Sequence, residues 1–135
     1  MKAIRISEHD EQANFFFTVG VTYRQRADFI GKLLFSVPNG MWIGGSNPYA
    51  MMNKFKAEGL QPGVADILYL QPRGVYNCLA IEMKAQDKRN DKDAVKPEQA
   101  EFLEAVNASG GWADVCYGCE EALQVFEVYM RMEAK

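Results

Sequence analysis

Apolar residues recur at helical spacing early in the chain. Phe15, Phe16, Val19 and Tyr23 share one stripe of a helix predicted from about Glu8 to about Arg24. Ser7 followed by Asp10 resembles a capping box, with Asp in the third-residue role. Leu33-Leu34-Phe35-Ser36-Val37 reads as a short strand stopped by the turn sequence Pro38-Asn39-Gly40. Ser46-Asn47-Pro48 opens a second, short helix, with proline at its first position and Gly59 placed to end it. Residues 64–70 and 78–84 read as strands, and Gln71-Pro72-Arg73-Gly74 between them as a turn, so the pair is a β-hairpin. Pro97 opens a helix to about Ala108, closed by Gly110-Gly111. Trp112 to Tyr117 is a fourth strand. Cys119 to Met132 is a last helix, with Leu123, Phe126, Val128 and Met130 among its apolar positions. The expected fold is α/β: a small mixed sheet with a central hairpin, flanked by helices.

The length of 135 residues suits one domain over residues 1–135, with a core of useful size. The content of 48% hydrophobic and 24% charged residues is ordinary for a soluble protein. No run reaches the ~18 apolar residues of a membrane span, and the polar start leaves no signal-peptide stretch, so a cytoplasmic location is expected. Three cysteines do not make a disulfide framework. The net charge of -3 argues against a non-specific polyanion binder. The distribution changes that picture. Residues 1–96 hold 13 Lys/Arg against 10 Asp/Glu, and residues 97–135 hold 2 against 8. Basic density peaks at Lys84, Lys88, Arg89, Lys92 and Lys96, interleaved with Asp87, Asp91 and Asp93. That run reads either as a solvated loop or as a surface for phosphates.

The hairpin brings charged residues together. If it is symmetric about Gly74, facing residues have numbers summing to 148, so Leu68 meets Ala80 and Asp66 meets Glu82. Facing side chains have Cβ atoms ~4.5–5.5 Å apart. Lys84 lies two residues beyond Glu82, on the same face, while Leu79, Ile81 and Met83 serve the opposite one. Two facing carboxylates repel, and a divalent cation relieves them; Mg²⁺ takes one or two carboxylates and fills the rest with water and phosphate oxygens. The alternative is a salt-bridged triad of Asp66, Lys84 and Glu82. Gln99, in the first turn of the Pro97 helix, precedes Leu103 and Val106 at helical spacing, so its amide faces the sheet. Glu11 precedes Phe15 and Val19 in the same way and points toward the core side.

Asp66, then Ile81-Glu82-Met83-Lys84, then Gln99 resembles the PD-(D/E)XK nuclease superfamily. More closely, the chain resembles the VRR-NUC domain, the virus-type replication and repair nuclease. The matching pieces are Glu8-His9-Asp10-Glu11-Gln12, Val37-Pro38-Asn39-Gly40, the stretch from Gly59 to Asp66, Ile81-Glu82-Met83-Lys84 and Pro97-Glu98-Gln99. They stand in the family's order over roughly residues 8 to 118. Ala65 stands where the superfamily's name places proline, which has no role in the chemistry. The resemblance implies a restriction-endonuclease-like fold and Mg²⁺- or Mn²⁺-dependent cleavage of DNA. It implies Asp66, Glu82 and Glu11 as metal ligands, Lys84 as the catalytic lysine and Gln99 as a further active-site residue. Standalone, phage-type members resemble homodimeric enzymes that resolve branched DNA such as Holliday junctions.

Two other readings compete. One is a nuclease-fold DNA-binding module that does not cut, which the intact Asp66, Glu82 and Lys84 set disfavours. The other is a small metal or redox protein built on Cys116-Tyr117-Gly118-Cys119, a C-x-x-C whose only further ligand candidates are Cys78 and His9.

Overall fold

The computed structural model describes residues 4–38 and 47–135. Helix α1 spans Glu8–Tyr23, and the Ser7 hydroxyl caps it by accepting from the Asp10 N–H at 3.1 Å. Strand β1 is Leu34–Ser36, and helix α2 is Pro48–Ala57, capped by the Asn47 side chain. The turn sequence after Val37 and the Ser46 start signal lie outside the described residues, apart from Pro38. Strands β2 (Ile67–Tyr69) and β3 (Leu79–Lys84) follow, then helix α3 (Pro97–Ala108), strand β4 (Trp112–Tyr117) and helix α4 (Cys119–Arg131).

The sheet order is β1-β2-β3-β4. β1 and β3 run antiparallel to β2, and β4 runs parallel to β3 through the α3 crossover. The hairpin register is the expected one: Ile67 faces Ile81, Leu68 faces Ala80 and Tyr69 faces Leu79. The ladder is shorter than the sequence suggests, and Asp66 sits in a bend just before β2. The tight turn is also two residues further on than Gln71-Pro72-Arg73-Gly74. Arg73 and Tyr76 exchange both backbone hydrogen bonds around Gly74-Val75, so the 69–73 arm carries one extra residue.

Both faces of the central strand are covered, and all six residues of β3 are buried. On one face, Leu79, Ile81 and Met83 join Ile67, Tyr69 and Cys116 beneath α1 and α4, where Phe15, Val19, Phe126 and Tyr129 complete the core. On the other face, Ala80 and Ala113 pack with Leu103 of α3. The last helix differs from its apolar count: Tyr129 is buried and Val128 is 44% exposed. Small alanines on the α3 face let that helix approach closely. The charged end of β3 therefore meets the first turn of α3.

Candidate metal and catalytic centre

Glu82 and Lys84 leave β3 on the α3 side, and Asp66 reaches the same place from the bend before β2. The Asp66 Oδ2 accepts from the Met83 N–H at 2.8 Å, fixing the acid where regular strand pairing stops. Glu82 is 1% exposed. Its Oε1 accepts from Gln99 Nε2 at 2.9 Å and lies 3.4 Å from Lys84 Nζ. Lys84 Nζ in turn donates to Gln99 Oε1 at 3.2 Å. The same Gln99 oxygen accepts from the Lys96 N–H at 2.9 Å, which caps the start of α3. One amide thus orients the acid, the lysine and the helix start.

The centre is incompletely satisfied. Glu82 Oε2 is buried and has no hydrogen-bond partner, and such an orphan carboxylate oxygen is costly without a ligand. Burial first, then the negative charge of Asp66, pushes Glu82 far above the usual carboxylate range, and Lys84 only partly opposes this. Gly63 brings the Asp66 loop against α3. Its φ is +83°, and a Cβ there would stand 2.3 Å from the Glu98 carbonyl oxygen and 2.9 Å from the Gln99 nitrogen.

Asp66, Glu82, Lys84 and Gln99 come together as expected, but Glu11 does not join them. It is 2% exposed on the α1 side of the sheet. Its oxygens accept from the Gln86 amide and from the Cys119 N–H at the start of α4. Gly118 makes room, since a Cβ there would lie 2.5 Å from Glu11 Oε2. A buried carboxylate at a helix N-terminus is well placed electrostatically, so Glu11 holds α1 to α4 with both oxygens committed. The α1 acid that meets the centre is Glu8, one turn earlier. Its pKa is raised by burial and by Asp66, and lowered by Lys84 and Lys88. Positions 8 and 11 share a helix face, so spacing alone does not choose between them.

The C-x-x-C motif carries no activated thiol. Burial pushes Cys116 up to about 12, and burial with Glu11 raises Cys119; a reactive cysteine needs the opposite shift. Among the described residues, no group of three or more His, Cys, Asp or Glu stands close enough to hold an ion alone. The Asp66 and Glu82 pair, with its spare oxygen, suits a hard divalent cation that keeps most of its shell as water and phosphate oxygens.

An α/β sheet presenting this set at the edge of its hairpin is a nuclease-type, restriction-endonuclease-like architecture. A solved structure described as a VRR_NUC domain protein superposes with a TM-score of 0.71 at 22% identity, covering 95% of this chain and 91% of its own. No curated protein matches the chain. The sequence model of the VRR-NUC domain matches residues 46–120, and the chain belongs to that family.

Proposed function

We propose that residues 1–135 form one nuclease domain that hydrolyses DNA phosphodiesters with Mg²⁺ or Mn²⁺, preferring branched DNA such as a Holliday junction. The observation that carries this is the unpartnered Glu82 Oε2, buried beside Asp66 and Lys84. Asp66 and Glu82 would hold the cation, with Glu8 at the rim. When bound, it polarises the scissile phosphate and lowers the pKa of a water. Lys84 carries its ammonium to the same place, neutralising charge on the pentavalent phosphate or orienting the attacking water. Gln99 hydrogen-bonds both members of the Lys84–Glu82 ion pair and so fixes how they are oriented.

Lys92 and Lys96 extend this centre as a phosphate-binding edge. Arg89 does not belong to it, since its guanidinium is paired with Glu121 and sits over the Tyr117 ring. A homodimer fits the two symmetry-related cuts of a junction. Phe17 and Val21, 74% and 57% exposed, give α1 an apolar outer face for it. Among the described residues, no helix is long and apolar enough to cross a membrane. Acting on DNA, the enzyme would work inside a cell, and the phage-type form would act in its host. The test is a cleavage panel of junction, flap, single-stranded and duplex DNA with Mg²⁺, Mn²⁺ or EDTA. The reading requires cation-dependent cutting, strongest on branched DNA. Failure to cut any substrate overturns it.

A further inference from the structure

Two depressions flank the candidate centre, and Glu8 belongs to the wall of both. One, of about 230 Å³, is lined by Lys84, Lys88 and Lys96 with Asp91 and Asp93. The other, of about 240 Å³, is lined by His9, Gln12, Ser36 and Asp66. Glu8 is the ridge between them, so a chain lying across Asp66, Glu82 and Lys84 leaves by one depression and enters by the other.

The second depression is chemically distinct. Its donors come from two elements: His9 and Gln12 from the first turns of α1, and Ser36 from the end of β1. None of these three side chains has a protein hydrogen-bond partner among the described residues, so an imidazole, an amide and a hydroxyl face one solvent-exposed space, free to bind a ligand. His9 is the chain's one histidine. Amide and hydroxyl donors of this kind commonly bind phosphodiester oxygens, which position a strand without reading its sequence. A protein partner would call for apolar area, which the depression lacks beyond Val37 and Pro38.

We propose that His9, Gln12 and Ser36 form a subsite for the DNA phosphate next to the one that is cut. The proposal rests on the nuclease reading above. Asp66 and Glu8 would repel that phosphate alone, so the subsite fills together with the cation.

The test pairs protein variants with substrate variants. The cut bond is mapped in the best substrate of the panel, and a neutral methylphosphonate then replaces each neighbouring phosphate in turn. For the wild type, one such replacement adjoining the cut raises KM about tenfold, the loss of a hydrogen bond to a charged group. His9→Ala with Gln12→Ala raises KM by about the same factor on the all-phosphate substrate and loses sensitivity to that one replacement, while kcat moves much less. Ser36→Ala, from the other wall, blunts the same position. Both walls are exposed, and circular dichroism checks that each variant folds. If protein and substrate changes multiply independently at every position, or if the double variant keeps the wild-type KM, the subsite is overturned while the nuclease reading stands. If the wild type cuts nothing, both fall together.

Discussion

Glu82 carries opposing demands in one carboxylate. It is buried, faces Asp66, and keeps one oxygen without a partner. An acid whose folded pKa lies above its unfolded value stabilises the fold at low pH, and loses that contribution as pH rises through the gap. The cation-free protein should therefore gain stability from Glu82 as pH falls from neutrality toward the ordinary carboxylate range. A cation held by Glu82 must displace its proton, so Ca²⁺ should raise Tm more at pH ~8 than at pH ~6. Glu82→Gln should raise the cation-free Tm at pH ~8, because the amide removes the repulsion and the buried charge. It should also abolish the Ca²⁺ shift. A Tm shift that ignores pH, or one that survives Glu82→Gln, would place the ion elsewhere. Lys84 separates binding from chemistry. Lys84→Ala should keep the Ca²⁺ shift and lose cleavage by about 10²-fold or more, the scale of one transition-state donor. Wild-type cutting by that variant would remove its assigned role.

At the scale of elements, the centre depends on how closely the loop before β2 approaches the first turn of α3. Gly63 sets that approach, since a Cβ would overlap the Glu98 carbonyl. Gly63→Ala should push the α3 start away and part Gln99 from Glu82. Cleavage should fall at least about tenfold while the protein remains folded, because small displacements from a productive geometry are expensive. Gln99→Glu should not rescue it, since a carboxylate cannot donate to Glu82. Full activity in Gly63→Ala would show that the contact is slack. These elements were unequally legible. Asp66 and Glu82 could be paired from sequence because strand side chains alternate strictly and the turn is short; the extra residue near the tip fell beyond the ladder and did not shift it. Gln99 was legible because Pro97 marks the helix start. The choice between Glu8 and Glu11 was not. Both lie on one helix face, and only the crossing of α1 over the sheet and α4 decides which acid meets the centre. Tyr129 and Val128 were exchanged for a similar reason: adjacent apolar residues on a helix are ordered by what packs against it.

Across the whole molecule, one buried cation ties the end remote from the centre. Arg73 is fully buried just past β2. Its guanidinium donates to the Asp28 carboxylate at 3.0 Å and to the Asp28 carbonyl at 2.6 Å. It also donates to the carbonyls of Met130 and Met132, at 3.2 and 3.0 Å. The loop after α1, the hairpin turn and the end of α4 thus converge on one side chain. The backbone adds to this, with the Gly74 N–H donating to the Glu133 carbonyl. The Asp28 side chain is 39% exposed, so the cost of losing Arg73 lies mainly in the carbonyls of Asp28, Met130 and Met132 left without their donor, about 1–3 kcal/mol for a buried unsatisfied polar group. Arg73→Ala should lower the unfolding free energy by that order, and Arg73→Lys should restore little, since an ammonium cannot span the planar fork. Arg26 and then Arg73 hold Asp28 well below the usual carboxylate range. Its contribution is therefore present above the unfolded carboxylate pKa and is lost as pH falls through and below it. Asp28→Asn should flatten the decline of stability in acid. Cleavage per folded molecule should not change in Arg73→Ala, because Arg73 and Asp66 lie at opposite ends of the hairpin. Urea unfolding at pH ~7 and pH ~3, with activity scaled to the folded fraction, reads all four expectations. A proportional loss of scaled activity would show that the clasp reaches the centre through β2.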